Sequence, residues 1–170
     1  MRITDDALAR ERADHVNVGD RFPIVTAHRV GGSEMALPRD VEADWAVVLL
    51  YRGHWCPYCR QQLVDFQQNL HRFRAADVRV VALSADAEAD AQETVRKHRI
   101  QFAVGYGLDP SHAEKALGTY LSKDGGFVQA TGFVLRPGGR VELAVYSTGA
   151  VGRLVARDVL GLIDYARKQE

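Results

Sequence analysis

The sequence predicts an α/β protein, a three-layer sandwich in which a mixed central sheet is flanked by helices. Apolar runs at 45–51 and 78–83 are typical of strands that are buried on both faces. Each run is followed by a helical segment, and alternating strands and helices are the pattern of an α/β fold. Two β-rich stretches around Pro137-Gly138-Gly139 predict a hairpin ahead of a terminal helix, which makes the sheet mixed.

The length of the chain predicts one domain. Its 170 residues are enough to bury a core of their own. Residues 1–17 open with a charged, alanine-rich stretch, and we expect an N-terminal arm there. Residues 18–170 are then expected to form a single domain, since no linker, repeat or low-complexity tract interrupts them.

Charge and hydropathy narrow the choice of partners and compartment. Twenty-two basic and 22 acidic residues cancel, so we expect neither nucleic acid nor an anionic membrane surface as a partner. The longest purely apolar run, at 45–51, is far shorter than a membrane span. The N-terminus lacks the apolar stretch of a secretory signal, so we expect a cytoplasmic protein.

The positions of proline and glycine predict the first secondary-structure elements of the domain. Residues 18–30 are rich in β-forming residues and end at Gly31-Gly32, which predicts an edge strand or a hairpin. Pro23 argues against a central position because it cannot donate to a strand ladder. Residues 37–44 then connect to the buried strand at 45–51.

The later elements follow from capping residues and period. We expect a helix over 87–98, with an N-cap supplied by 84–86, and then a strand over 100–104. Asp109-Pro110 predicts a helix that ends at Leu117. A final helix is expected over 154–168, with an apolar stripe on one side.

The stretch after the first buried strand carries the chemistry. Cys56-Pro57-Tyr58-Cys59 follows the strand after a short loop that contains Gly53, and these are the only two cysteines of the chain. The period of one helix face then predicts a single helix whose first turn carries both thiols. The members of that stripe are Cys59, Leu63, Phe66, Leu70 and Phe73.

The position of Cys56 predicts a reactive thiol. A cysteine is nucleophilic as its thiolate, and the unpaired N–H groups and dipole of a helix N-terminus favour that anion. Pro57 suits the first helical position, and Arg52 and His54 lie close enough upstream to add positive potential. We therefore expect the pKa of Cys56 to lie below that of an ordinary thiol.

The spacing of the two cysteines predicts a dithiol/disulfide pair. Residues three apart lie on one side of a helical turn, with Cβ atoms roughly 5–6 Å apart, and a disulfide can close there with modest adjustment. The stripe directs Cys59 toward the core and leaves Cys56 at the exposed tip. Spacing alone thus favours Cys56 as the attacking thiol and Cys59 as the resolving thiol.

Two other interpretations of the motif are weaker. A C-x-x-C pair can be half of a zinc site, but zinc needs four ligands, and only His54 with a distant histidine is left to complete the set. An inert structural pair is disfavoured by Trp55, Pro57 and Tyr58, because proline and aromatic residues at a strand-to-helix junction are typical of a redox turn.

The segment YRGHWCPYCRQQL, preceded by WAVVLL, closely resembles the peroxiredoxin-like (AhpC/TSA, redoxin) family of the thioredoxin fold. VGDRFP, GFVLRPGGRV and DVLGLIDYARK resemble the family's entry segment, hairpin and terminal helix, so the resemblance covers roughly residues 18–168. It implies a thioredoxin-like sandwich and an oxidoreductase with a redox-active CPYC disulfide. Glutaredoxins share CPYC but are much shorter.

The family pattern assigns the cysteines differently from the spacing. Peroxiredoxins carry P-x-x-x-T/S-x-x-C, where the last cysteine attacks the peroxide. In this chain the proline position holds Arg52, the Thr/Ser position holds Cys56, and the peroxidatic position falls on Cys59. The resemblance therefore exchanges the roles of the two thiols, and the order of attack stays open.

Two further positions depart from the related families. Family members place an arginine just before the strand that corresponds to 131–135, and this chain has none there, so Arg52, Arg60 or Arg153 would have to substitute for it in space. Thr131 occupies the place where thioredoxins and glutaredoxins have a cis-proline.

The resemblance implies a thiol-dependent redox enzyme, a peroxidase or a thiol-disulfide oxidoreductase, acting in antioxidant defence or thiol homeostasis. It implies no bound cofactor or metal, since electrons come from an external thiol such as thioredoxin, glutaredoxin or glutathione. The expected partners are a peroxide or disulfide substrate, a thiol reductant protein and a second copy of the chain in a homodimer. The alternative is a non-catalytic redox-sensing or binding module of the same fold.

Overall fold

The computed structural model describes residues 15–170, which form seven strands and five helices. The strands are β1 (Val25–Arg29), β2 (Glu34–Leu37), β3 (Trp45–Leu50), β4 (Val78–Leu83), β5 (Ala103–Tyr106), β6 (Thr131–Leu135) and β7 (Val141–Tyr146). The helices are α1 (Pro57–Gln68), α2 (Leu70–Ala75), α3 (Glu88–His98), α4 (Pro110–Leu117) and α5 (Ala156–Lys168).

All seven strands lie in one mixed sheet in the order β2-β1-β5-β4-β3-β6-β7. β3 pairs parallel with β4 and antiparallel with β6, and β4 pairs parallel with β5. β3 therefore lies inside the sheet, and all six of its residues are buried. The predicted mixed sheet, with its buried strands at 45–51 and 78–83, is confirmed.

Helices cover both faces of this sheet, which gives the predicted three layers. One apolar cluster joins alternate residues of β3 to α1, α2 and α5, and it contains Cys56 and Cys59. The second cluster joins the other residues of β3 to α4 and to the segment before β1. The cysteines thus lie on the face that also holds the C-terminal helix.

The predicted single helix through Phe73 is wrong in one respect. α1 ends at Gln68 and α2 begins at Leu70. Between them, the side-chain amide of Asn69 donates to the carbonyl of Asp65 at 2.9 Å and competes with the helix backbone. Both halves still bury the predicted stripe, and Phe73 stacks on Phe66 with ring centroids 5.3 Å apart.

Other boundaries also differ from the prediction. The segment 18–30 contributes a single strand, β1, which pairs with β2 on one side and β5 on the other, so the expected edge strand is wrong. The hairpin is formed with β2, which lies beyond the predicted segment and is the edge strand. The strand predicted over 100–104 is β5, which runs from Ala103 to Tyr106. In α5 the buried stripe begins at Ala156, whereas Val155 is largely exposed.

Most of the predicted N-terminal arm lies outside the described residues, which begin at His15. The His15 ring packs against Tyr146 with centroids 4.4 Å apart, and Val16 is buried. Within residues 15–170, no helix combines the length and apolar character needed to cross a membrane.

Candidate active site

The strand, loop and helix that carry the cysteines form as predicted. Cys56 is the N-cap of α1, its Sγ accepts the backbone N–H of Cys59 at 3.3 Å, and Pro57 is the first helical residue. The loop is tight because Gly53 has no side chain: a Cβ there would lie 2.4 Å from Nε1 of Trp55. The Gly53 carbonyl accepts the N–H of Cys56 at 3.2 Å and fixes the entry to the helix.

Both cysteines are free thiols, and both are 0% exposed. They lie 2.8 Å apart. The prediction that Cys56 sits at an exposed tip is therefore wrong. The reason is that two arginine side chains, each only half-buried, cover its sulfur: Nη1 of Arg52 and Nη2 of Arg153 each lie 3.8 Å from Sγ of Cys56.

Arg153 makes the closest contact with the thiol pair. Its Nη2 lies 2.9 Å from Sγ of Cys59, while Nη1 donates to Oε1 of Gln62 at 2.7 Å and Nε donates to the carbonyl of Ala150 at 2.6 Å. Of the three arginines considered from sequence, Arg52 and Arg153 reach the sulfurs. Within residues 15–170, the side chain of Arg60 makes no hydrogen bond to either sulfur; only its backbone N–H bonds to Cys56, at the carbonyl, at 3.1 Å.

The segment that carries Arg153 is bound to α1. Nε2 of Gln62 donates to the carbonyl of Leu154 at 2.9 Å, and Oδ2 of Asp65 accepts the N–H of Ala156 at the start of α5. Leu154 packs against β6 at Gly132, where an added Cβ would lie 2.7 Å from its Cδ1. Two polar side chains of α1 and a missing side chain on β6 therefore place the guanidinium.

Arg52 lies between two aromatic rings. Its guanidinium carbon is 5.0 Å from the ring centroid of Trp55 and 5.1 Å from that of Phe127. Its Nε donates to Oε1 of Gln129, a buried residue, at 3.0 Å. Cation–π contacts and this hydrogen bond hold the guanidinium over Cys56 without neutralising its charge.

A buried carboxylate holds the loop in front of the helix. Because β3 and β4 run parallel, their carboxyl ends meet, and Asp86 after β4 lies beside His54 after β3. Asp86 accepts the backbone N–H of His54 through Oδ2 at 2.9 Å, and its Oδ1 lies 3.0 Å from the ring Nδ1. Asp86 was expected to cap the next helix, but the N-cap of α3 is Ala87, without a side-chain cap.

The surroundings move the two thiol pKa values in opposite directions. Burial raises the pKa of Cys56, but hydrogen bonds from Cys59 and Arg52 and the charge of Arg153 outweigh it, so the net shift is downward. Burial and the hydrogen bond donated to Cys56 raise the pKa of Cys59 more than Arg153 lowers it. The pair thus favours a thiolate on Cys56 and a thiol on Cys59, and the lowered pKa of Cys56 agrees with the prediction made from its position at the helix N-terminus.

The remaining predicted residues lie nearby without touching the sulfurs. Tyr58 lies on the exposed side of the first turn of α1. Thr131 pairs with Leu50 at the end of β3, and its hydroxyl donates to the carbonyl of Gln129. No proline occupies that position. Among residues 15–170 no group of three or more His, Cys, Asp or Glu side chains could hold a metal ion.

Sequence reasoning missed four residues that build the site: Gln62, Asp86, Phe127 and Gln129. One of them carried a usable signal. Gln62 lies next to Leu63 on the buried side of α1, and a glutamine there needs a buried partner. The other three lie in loops that are distant from Cys56 along the chain, so no local sequence pattern predicts that they contribute to the site.

A buried dithiol at a helix N-terminus, beneath two guanidinium groups, defines a thiol redox protein. The profile of the AhpC/TSA family matches residues 18–144. The chain belongs to this family and is an oxidoreductase.

Curated relatives agree with this assignment. A protein named peroxiredoxin from Treponema denticola is 24% identical over 141 residues, covering 80% of this chain and 67% of the relative. Another protein of that name, from Nanoarchaeum equitans, is 22% identical over 154 residues, covering 88% of this chain and 68% of the relative.

Solved structures share the fold. A cysteine-to-serine mutant of peroxiredoxin 6 from Arenicola marina superposes with a TM-score of 0.78 at 18% identity, covering 89% of this chain and 74% of that one. AhpC from Mycobacterium tuberculosis gives 0.76 at 18% identity, covering 92% and 96%. The predicted thioredoxin-like architecture is confirmed.

Proposed function

We propose that the chain reduces peroxides through a dithiol/disulfide cycle in which Cys56 attacks and Cys59 resolves. The observation that carries the proposal is the Arg153 guanidinium, 2.9 Å from Sγ of Cys59 and 3.8 Å from Sγ of Cys56. A fixed cation at this place stabilises a thiolate and the negative charge that develops on a peroxide oxygen as the O–O bond breaks.

In the first step the Cys56 thiolate attacks the outer oxygen of the hydroperoxide. An S–O bond forms, the O–O bond breaks, and an alkoxide (or hydroxide, from hydrogen peroxide) departs. The Cys59 thiol, 2.8 Å away, gives its proton to that leaving oxygen. Cys56 is then a sulfenic acid, oxidised by two electrons, and Cys59 is a thiolate beside Arg153.

In the second step the Cys59 thiolate attacks Sγ of Cys56. An S–S bond forms, and the hydroxyl leaves as water after taking one proton from solvent. The sum is two thiols and one peroxide giving one disulfide, one alcohol and one water. The helical spacing of the pair lets the disulfide close without rebuilding the fold.

An external thiol restores the pair by exchange, so we propose thioredoxin, glutaredoxin or glutathione as reductant and no bound cofactor. We also propose that residues 18–170 act as one domain and that the protein works in the cytoplasm, where free cysteines persist. Apolar clusters on both faces of a single sheet support the first point, and the presence of only two cysteines, both in one C-x-x-C motif, supports the second.

The supporting residues have distinct roles in this proposal. Arg52 adds a second cation at Cys56, while Trp55 holds that cation by stacking. His54 ties the loop to Asp86, and Pro57 starts the helix. Tyr58 and Thr131 frame the site from the helix and from β6.

A second candidate is disulfide exchange, in which Cys56 attacks a substrate disulfide and Cys59 resolves the mixed disulfide. It is favoured by the N-cap position of Cys56, the arrangement that lowers a thiol pKa in dithiol oxidoreductases. We rank disulfide exchange second because the chain belongs to the AhpC/TSA family. A purely sensing module ranks below both, because disulfide formation without turnover does not require the two guanidinium groups that contact the thiols.

The decisive experiment is stopped-flow consumption of hydrogen peroxide and of a model disulfide by the parent protein, Cys56→Ser and Cys59→Ser. Dimedone trapping with mass spectrometry locates the sulfenic acid. We expect fast peroxide consumption by the parent, none above background for Cys56→Ser, and a dimedone adduct on Cys56 in Cys59→Ser.

The other outcomes are equally clear. An adduct on Cys59 in Cys56→Ser, formed at the parent rate, would exchange the two roles as the family pattern has them. Peroxide consumption no faster than by free cysteine, with fast disulfide turnover and a trapped mixed disulfide on Cys56 in Cys59→Ser, would establish the second candidate instead.

A further inference from the structure

No carboxylate among residues 15–170 pairs with the two guanidinium groups over Cys56. Arg52 donates to Gln129 and Cys56, and Arg153 donates to Gln62, the carbonyl of Ala150 and the sulfurs. Every one of these acceptors is a neutral oxygen or a cysteine sulfur. No ion pair among residues 15–170 involves either arginine.

The charge around the thiol pair is therefore unbalanced in the state that reacts. Two guanidinium groups contact Sγ of Cys56, and the directions of the thiol pKa shifts favour a thiolate on Cys56 and a thiol on Cys59, so in the proposed reacting state two positive charges face one negative charge. One positive charge is left over. Close to a buried site, where water screens poorly, an unpaired cation attracts an anion strongly.

The unpaired cations also line the approach to the sulfur. Both cysteines are 0% exposed, whereas Arg52 and Arg153 remain half-exposed. Nη1 of Arg52 and Nη2 of Arg153 each lie 3.8 Å from Sγ of Cys56, so a substrate that reaches this sulfur meets both guanidinium groups. Arg52 also stands where the resembled family pattern has a proline, so its charge is a feature of this chain.

We propose that Arg52 and Arg153 form an anion-binding entrance, and that the substrate is an organic hydroperoxide carrying a carboxylate a few atoms from its O–O group. The proposal rests on the peroxide-reducing function proposed above. Nη1 of Arg52 lies 3.8 Å from the attacking sulfur, so a carboxylate on the outer side of that guanidinium sets the O–O group against Cys56. The half-exposed ring of Trp55 offers an apolar surface for the carbon skeleton between them.

The first arm of the test measures kcat/KM for 3-hydroperoxy-3-methylbutanoate and for its methyl ester, which lacks the negative charge and carries one extra methyl group. We expect the parent protein to prefer the carboxylate by about tenfold. Arg52→Met should bring this ratio close to unity, Arg52→Lys should keep part of it, and rising salt should reduce it. Arg60→Met, which removes a guanidinium of α1 that does not contact the sulfurs, is the matched control and should keep the parent ratio.

The second arm does not depend on peroxide turnover. Iodoacetate and iodoacetamide alkylate the same thiolate but only iodoacetate is charged. Relative to free cysteine, the ratio of their rates on Cys56 should rise about tenfold and return to within about twofold in Arg52→Met.

Together the two arms distinguish a failure of the anion-binding entrance from a failure of the proposed peroxide reduction. Equal rates for acid and ester, with an unchanged iodoacetate ratio, overturn the anion-binding entrance while peroxide reduction stands. An iodoacetate preference that depends on Arg52, with no peroxide turnover, supports the entrance and overturns the peroxidase. A preference that survives Arg52→Met overturns the role of Arg52.

Discussion

The two ends of the central sheet differ in how their charges are paired. At the carboxyl end of β3, Arg52 and Arg153 face two buried sulfurs, and no carboxylate of residues 15–170 pairs with either guanidinium. At the opposite end lies a cavity of about 410 Å³, and its charged residues are balanced. They are Arg29, Arg74, Arg79, Asp40, Asp44 and Asp77.

This difference shows that a sizeable cavity need not mark the reactive site. Arg79 and Asp44 form an exposed ion pair at 3.2 Å, and solvent screens such pairs so well that they contribute about 0–1 kcal/mol. The guanidinium of Arg153 instead meets a sulfur that water does not reach, where the same charge acts more strongly. Unpaired charge beside a buried nucleophile marks chemistry better than volume does.

The largest expected difference between the two ends is the effect of removing an arginine on the rate of peroxide reduction. Arg153→Met should lower the rate constant for peroxide reduction by about 10²–10³, the usual loss when a donor to a developing anion is removed. Stopped-flow kinetics at saturating reductant measure it. Arg79→Met removes a cation of the other end and should keep the parent rate within about twofold. Equal losses in both variants would show that net charge, and not contact with the sulfurs, sets the rate.

The two ends should also differ in how much stability a carboxylate provides. Asp86→Ala leaves a backbone N–H and a ring nitrogen of His54 without their buried acceptor, so the free energy of unfolding should fall by about 2 kcal/mol. Asp44→Ala removes only a screened surface partner and should cost under about 0.5 kcal/mol. Urea denaturation of the reduced proteins compares the two, and similar costs would contradict the distinction.

A smaller effect tests whether Arg153 must be held in place. Gln62→Leu removes the acceptor of Nη1 at 2.7 Å and the donor to Leu154, so the peroxide rate should fall about tenfold. The pH profile should shift as well, because a less fixed guanidinium lowers the pKa of Cys56 less. Gln61→Leu, one residue earlier and exposed, is the control, and its rate and profile should match the parent.

The pH dependence of alkylation gives the smallest expected change. The pKa of Cys56 is lowered, so its thiolate persists at pH values where a free cysteine, with a pKa of about 8.5, is protonated. Iodoacetamide labelling of Cys56, followed by mass spectrometry, should therefore level off at lower pH than labelling of free cysteine. Arg153→Met should move the midpoint upward. A midpoint equal to that of the unfolded protein would refute the charge environment described for Cys56.

Most of the fold was predictable because it follows from local patterns. The run from Trp45 to Leu50 predicted a buried strand, and the cap at Cys56-Pro57 predicted the start of α1. The break in the helix at Asn69 was not predictable from the sequence, because it depends on a side-chain amide that reaches a carbonyl one turn back. The start of β5 was displaced because pairing with β4, and not hydrophobicity, decides where that strand begins.

The candidate site was predictable only in part, and for a similar reason. The cysteines and their spacing are local, so their helical turn and the downward shift of the Cys56 pKa followed from sequence. The burial of Cys56 was missed, because its cover comes from Arg153 in a distant segment. Arg153 itself could be named only as one of three candidates, since no local pattern says which arginine arrives beside a thiol.

The position of Arg153 along the chain also bears on synthesis. It follows Cys56 by 97 residues and Cys59 by 94. The cysteines therefore leave the ribosome well before the segment that carries the arginine has been made. Until that segment packs between α1 and Gly132, Cys56 lacks one of the two cations that lower its pKa. Full reactivity of the thiol pair thus arrives with completion of the fold, and a nascent chain carries cysteines closer to ordinary ones.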